Sequence, residues 1–249
     1  MIKKEHILTI VALILVWWGA AILIGRSFIL PTPLATIQYL IEILGSPETY
    51  KAIFTSMVRV FIGFMISLLC AFIVCVLCNQ SDTIKKLFEP IFVLTKSIPN
   101  ISYMIIALIW LGSEGAVTLV SFMILFPVFL NGFMNALESE DEILKDVEKV
   151  YPESFFAKMK NKLFPQLLPE MIQTGKTAAS LGFKVGIMAE ILGSVNVGIG
   201  RQISYCKTEL NMAGIFAWTL MIIVICLLLD LVFDQIYQYR FKEENGWKS

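Results

Sequence analysis

The stretch "ILTIVALILVWWGAAILIG", from about residue 7 to 25, holds no charged side chain and only one threonine as a polar one. A helix needs roughly 20 mostly apolar residues to cross about 30 Å of hydrocarbon. Five further stretches meet the same requirement, at about 53–77, 88–111, 116–136, 169–193 and 213–237. Runs of this kind exclude an ordinary soluble domain, because only closed barrels and helices satisfy their backbone inside lipid. The composition agrees: 57% of the 249 residues are hydrophobic and 16% are charged, against about 25% charged in a typical soluble domain. The reading is an all-α polytopic membrane protein with about six transmembrane helices. Residues 1–249 form a single transmembrane domain without room for a second globular one. Lys3 and Lys4 give the first stretch the look of a signal peptide, but no small-x-small cleavage site follows, so it reads as a retained helix.

Lysine and arginine favour the cytoplasmic side of a membrane. With the N-terminus inside, the inner segments hold twelve of these residues and the outer loops four, Arg26, Lys51, Arg201 and Lys207. Both termini are therefore expected in the cytoplasm. On the outer side, "PLATIQYLIEIL" puts Leu34, Ile37, Leu40, Ile41 and Leu44 on one helical face, which suits a helix lying on the membrane surface. "SPE" at 46–48 offers a serine cap, a proline in the first turn and an acid near the helix N-terminus.

The span from 138 to 162 differs from everything else in the chain. It carries seven acids and five lysines, and the charge rule places it in the cytoplasm. Ile143, Val147, Val150 and Tyr151 recur at helical spacing, as do Phe155, Phe156, Met159 and Leu163 after Pro152. Two short helices joined at Pro152 are expected. Such an element either rests on lipid headgroups or offers its apolar stripe to a cytoplasmic partner. Headgroups favour basic helices, and the excess of acids favours the partner. Pro165 and Pro169 follow, four residues apart. Pro165 is expected to stop the cytoplasmic helix and Pro169 to sit in the first turn of the fifth membrane helix. "QLL" between them would form a corner leading to Gly175.

At about 100° per residue, Gly175, Ala178, Ala179, Gly182, Gly186, Ala189 and Gly193 share one side of the fifth helix. Stripes of small residues let membrane helices approach closely, and Gly182 with Gly186 forms a GxxxG pair. Glu190 lies at the edge of the stripe and Lys184 nearly opposite. Charges inside a bilayer usually face protein or a watery cavity. Lys184, Glu190 and, in the third span, Lys96 and Asn100 are candidates for lining a path. A snorkelling Lys184 or Lys96 and a Glu190 near the outer surface are the alternatives.

Several chemistries lack their residues. His6 is the only histidine, which removes most histidine-based catalysis and metal binding. Cys70, Cys75, Cys78 and Cys226 lie in apolar stretches and Cys206 in a polar loop, without a paired CxxC arrangement. No metal site is expected. "TGKT" at 174–177 is similar to part of a phosphate-binding loop, but the glycine that loop needs falls on Glu170. An ATP-driven activity would need a separate ATPase chain. With zero formal net charge, nothing points to nucleic acid.

In order along the chain, "ILPTPLAT", "TSMVRVFIGF", "FEPIFVLTKSIPNISYMIIALIWLG", "LFPQLLPEMIQTG" and "MAEILGSVNVGIGRQI" resemble the characteristic blocks of the inner-membrane permease subunits of bacterial ABC importers. The match is best with the nitrate/sulfonate/taurine class and its relatives for thiamine-precursor pyrimidines, and it covers nearly the whole chain. The family's cytoplasmic signature, Glu-Ala-Ala with a glycine six residues on, aligns with Asp146, Val147 and Glu148 and with Pro152. The acid is kept in type, both alanines are replaced and the glycine is proline, which also breaks a helix.

The resemblance implies a type I importer permease with a coupling loop at about 138–168. Two permease copies form the pore in the inner (plasma) membrane, and two cytoplasmic ATPase subunits bind ATP and Mg. An extracytoplasmic solute-binding protein delivers a small, anionic solute or a thiamine-precursor pyrimidine. The coupling element would be Asp146, Val147, Glu148, Tyr151, Pro152, Glu153, Ser154, Phe155 and Phe156. The chain itself would hold no cofactor and would not be an enzyme. A self-contained secondary transporter is the alternative, although no internal repeat of that class is visible. A membrane enzyme would need a cluster of reactive side chains that the helices do not show.

Overall fold

The computed structural model describes residues 4–81, 83–88, 90, 98–139 and 154–241, and among these it is a bundle of helices without strands. Helix α1 spans Lys4–Ile24, α2 Pro33–Leu44 and α3 Pro47–Gln80. Helix α4 spans Asn100–Glu138, α5 Phe155–Lys158, α6 Phe164–Gly193, α7 Ile199–Thr208 and α8 Met212–Phe241. The sequence-predicted first, second, fifth and sixth spans fall on α1, α3, α6 and α8. Part of the third lies outside the described residues. Its remainder and the fourth are the two halves of α4, which meet at Gly112 with φ 66° and ψ −176°. That positive φ requires glycine, although a Cβ there would meet only open space.

Helices α3, α4 and α8 are long and apolar enough to cross a membrane, and α1 adds a shorter apolar helix over Leu8–Ile24. The exposed sides of α1, α3 and α8 are themselves apolar: Leu13, Phe61, Leu69, Leu228 and Leu231 are each more than half exposed. In water this surface would drive aggregation; in lipid it is matched to its solvent.

The helix starts follow from local chemistry. Thr32 caps α2 by accepting from the Ala35 N–H at 3.2 Å, and Pro33 follows. Ser46 caps α3 by accepting from the Glu48 N–H at 3.3 Å, followed by Pro47. Leu34, Ile37, Ile41 and Leu44 of α2 stay exposed. The helix anchors by its other side, with Thr36 fully buried and Tyr39 beside Gly214 of α8. Cys206 is not in a loop: it lies in α7, buried, 3.6 Å from the Tyr39 hydroxyl. Burial pushes the thiol up from its ordinary range, which keeps it a protonated, unreactive side chain.

Two cores stack along the bundle. One gathers Val60, Val117, Phe183, Ile187, Ile199 and Trp218. The other gathers Phe64, Phe129, Leu130, Phe133 and Leu167. The most extensive seams join α4 to α6 and α3 to α4. The small residues of α6 lie against its neighbouring helices. A Cβ on Gly182 would come 2.7 Å from Leu125 Cδ1 of α4, and one on Gly186 would collide with Val60 of α3. Gly63 on α3 does the same from the other side, with Ser121 Cβ at 2.6 Å. Contact at this distance is what small residues contribute in a bilayer, where dispersion replaces the hydrophobic effect between helices.

The corner expected at Pro165 and Pro169 is absent. Helix α5, a π-helical segment over Met159–Leu163 and α6 run on continuously, with Leu163 and Phe164 both in helical conformation. Pro165 lies in the first turn of α6 and Pro169 inside it; Gly175 lies further along, 2.9 Å (as a Cβ) from Phe233 of α8. The π segment gives the physical reason. The Phe164 N–H reaches back to the Met159 carbonyl, a five-residue step that widens the helix just before the proline ring and its missing donor. A proline that would break an α-helix is thereby carried through.

Candidate functional site

Helix α6 carries polar side chains in two groups. The first lies near its C-terminal end. Glu190 is fully buried. Its carboxylate accepts from Ser56 Oγ at 2.8 Å, from Arg59 Nη1 at 2.9 Å and from the Gly200 N–H at 2.9 Å. Ser56 Oγ in turn accepts from the Ile199 N–H at 2.9 Å, and Arg59 Nη1 also donates to the Val197 carbonyl at 2.7 Å. Arg59 Nη2 pairs with Glu114, whose other oxygen accepts from the Asn196 N–H at 3.0 Å. One carboxylate and one guanidinium thus tie α3, α4, α6 and the 194–200 loop together. A buried charge is tolerable only with such pairing. Gly198 and Gly200 make room for it: a Cβ on Gly198 would stand 2.6 Å from Glu190 Oε2.

The second group lies along the α6–α8 seam. Lys176 Nζ donates to both oxygens of Asp234, at 2.7 and 2.8 Å. One turn on, Ser180 Oγ donates to Asp230 Oδ1 at 2.7 Å. A further turn on stands Lys184, exposed. Towards the start of α6 a cavity of about 280 Å³ opens between Val128, Glu170, Gln173, Thr174 and Thr177.

Glu190 and Lys184, both path candidates from the sequence, have different surroundings in the structure. Glu190 lines no opening in this chain, because Ser56, Arg59 and Gly200 enclose it. Lys184 faces outward. Asn100 is exposed at the start of α4. Lys96 and the coupling residues Asp146, Val147, Glu148, Tyr151, Pro152 and Glu153 lie outside the described residues. At the edge of that stretch, Ser154 caps α5, and Phe155 and Phe156 stand exposed as an edge-to-face pair 5.5 Å apart. The sequence reading missed Ser56, Arg59, Glu114, Asp230 and Asp234. Two signals were available: an arginine inside the second span, and two acids four residues apart in the sixth.

Residues 63–240 match the family model of the binding-protein-dependent transport system inner membrane component. The chain belongs to this family. The permease is also similar over most of its length to a putative aliphatic sulfonates transport permease of Bacillus subtilis, with 21% identity over 89% of this chain and 80% of that one. A formylaminopyrimidine transport permease of Halalkalibacterium halodurans is 24% identical over 86% and 85% of the two chains. The taurine transport system permease of Escherichia coli is 22% identical over 90% and 83%. The permease is accordingly an all-helical inner-membrane component of an ABC importer, a class whose partners include an ATPase and a solute-binding protein. The buried network accounts for two of its sequence blocks. "TSMVRVFIGF" supplies Ser56 and Arg59, and "MAEILGSVNVGIGRQI" supplies Glu190 and the two glycines packed on it.

Proposed function

We propose that this permease pairs with a second copy to form the path of an ATP-driven importer, with both termini in the cytoplasm. The observation that carries the coupling is the exposed Phe155–Phe156 pair at the head of an unbroken helix leading into α6. Exposed aromatics outside the apolar spans are suited to a protein partner, and a continuous helix transmits displacement as a rigid rod. Asp146–Phe156 would dock on the ATPase, one loop to each of two ATPase subunits. ATP and Mg would be held there, and the chain would carry no cofactor of its own. The solute falls in the range spanned by the relatives' names, from aliphatic sulfonate and taurine to formylaminopyrimidine. The outward-facing Lys184 favours the anionic ones.

The test is co-purification. A Phe155→Asp/Phe156→Asp variant is expected to reach the membrane at wild-type level and to retain less than about a tenth of the ATPase, equivalent to about 1.4 kcal/mol or more of lost contact. Undiminished association would remove the coupling assignment.

Pro165 and Pro169 enter the same mechanism differently from a corner. Alanine at both positions restores two N–H donors and removes the reason for the π segment. Return to α-helical register turns the aromatic pair about 100° around the axis relative to α6. Solute transported per ATP is expected to fall while protein yield holds. Unchanged stoichiometry in reconstituted vesicles would show that the register is immaterial.

A further inference from the structure

The exposed surfaces of the bundle differ in kind. From Phe54 to Leu77 on α3 and from Ile223 to Val232 on α8 the exposed residues are apolar, as lipid requires. On α6 the exposed positions include Gln173, Thr177 and Lys184, with Met188 (53% exposed) continuing the line. These residues fall within about 60° of one another around the axis at 100° per residue, so they form one outward face. The small-residue stripe occupies the opposite side and is spent on packing.

The register of the α6–α8 seam sets Lys184 away from the helix ends, where a headgroup contact would lie. The seam steps from Lys176–Asp234 to Ser180–Asp230, and one further turn brings Lys184 level with Cys226, near the midpoint of α8, a helix long and apolar enough to cross a membrane. A lysine at mid-span costs several kcal/mol in hydrocarbon and is found facing protein or water. The described residues supply no hydrogen bond or ion pair to it, whereas Lys176 two turns away is neutralised by Asp234. Asp230 is the next acid along the seam after Asp234. It is only half-exposed, and its Oδ1 is engaged by Ser180. The cavity beside Glu170, Gln173 and Thr177 lies along the same face and gives it a polar hollow towards the start of the helix.

We propose that the Gln173–Met188 face of α6 is the wetted wall of the solute path, and that Lys184 is the specificity-determining residue that makes this wall favour an anion. The proposal rests on the importer reading and deepens it. The guanidinium at the other polar site cannot serve this role, because Arg59 is already shared between Glu190 and Glu114. Of the two lysines on α6, Lys184 is the one without an ion pair among the described residues, and it can meet a sulfonate or carboxylate group in transit by charge and by its three N–H donors.

Thiol labelling tests this without knowledge of the solute. Met188→Cys places a thiol one turn from Lys184, about 6 Å away. Thr177→Cys reports on water further along the face, and Leu69→Cys on α3 is the lipid-facing control. Each variant, in the permease–ATPase complex in nanodiscs, is treated with an anionic ethylsulfonate or a cationic trimethylammonium methanethiosulfonate. Site-specific labelling is read by peptide mass spectrometry, and rates are normalised to those with a free thiol. The thiols introduced by Thr177→Cys and Met188→Cys are expected to label, and the one introduced by Leu69→Cys to resist. In the Met188→Cys variant the anionic reagent should be favoured about tenfold, from attraction of one unit charge and repulsion of the other at that distance in water. Adding Lys184→Gln should abolish the preference, Lys184→Arg should keep it and Lys184→Glu should reverse it.

Absence of labelling at both α6 positions would mean a dry interface or a lipid-facing lysine, and would overturn the proposal. So would equal labelling by the two reagents with Lys184 intact. Failure of the importer reading has a separate signature, full retention of the ATPase when Phe155 and Phe156 are replaced. The labelling ratio is read on the same preparation either way.

Discussion

Replacing Glu190 with alanine is expected to lower the stability of the fold by about 3–5 kcal/mol, the usual cost of breaking one side of a buried ion pair. The change removes the acceptor of Ser56 Oγ and of the Gly200 N–H and leaves Arg59 Nη1 only the Val197 carbonyl, at a position where Glu190 is fully buried. The 194–200 loop loses its attachment to α6, and α3 loses its polar tie to the same helix. Thermal denaturation in detergent should show the midpoint falling by many degrees, and folded yield should drop with it. Glu190→Gln should fall between wild type and the alanine variant, since an amide accepts at one position but presents donors to donors at the other. Glu114→Ala serves as the contrast. Its carboxylate is 47% exposed, and exposed pairs contribute at most about 1 kcal/mol. A Glu190→Ala protein with the wild-type midpoint would show that the network is not what holds this end of the bundle.

Alanine at Gly200 is the second large effect. Its Cβ would collide with Glu190 Cβ and stand 2.8 Å from the Ile191 backbone nitrogen and 3.0 Å from the Glu190 carbonyl carbon. Backbone atoms of a packed helix cannot rotate away, so the start of α7 must lift. Lifting it lengthens the bond from the Gly200 N–H to Glu190. Overpacking and the loss of a hydrogen bond to a charged acceptor together cost about 2–4 kcal/mol. Gly19→Ala on α1, where a Cβ meets nothing within 4 Å, is expected to be neutral or to stabilise by up to about 1 kcal/mol through helix propensity. The hydrogen-bond part of the Gly200 effect is shared with Glu190→Ala, so the double variant should lose less than the two losses added. Equal midpoints for Gly200→Ala and Gly19→Ala would refute the packing argument.

These two variants mark the line between what was legible in the chain and what was not. Membrane crossing was legible, because hydrocarbon thickness imposes a length and a composition that each helix must satisfy within its own residues. Of the helix caps, Ser46 was legible for the same reason: donor and acceptor lie two residues apart. The GxxxG stripe on α6 was legible as a packing face from its period alone. The π segment was not, because it depends on how the prolines at 165 and 169 are carried once neighbouring helices hold the backbone helical. Two prolines four residues apart read more simply as a corner.

The charged residues divide along the same line. The sequence by itself determined that Glu190 and Lys184 stand in a membrane helix and must each find water or a partner. Only the tertiary structure decided which found which. Arg59 lies 131 residues from Glu190 along the chain, and Ser56 lies 134 away. No local periodicity links residues so far apart; the α3–α6 seam brings them together. Glu190 is therefore an internal tie, and Lys184, on another face of the same helix, is left outward. The chain alone determines the cost of a charge in hydrocarbon, and the packing of helices from distant parts of the chain determines how that cost is met.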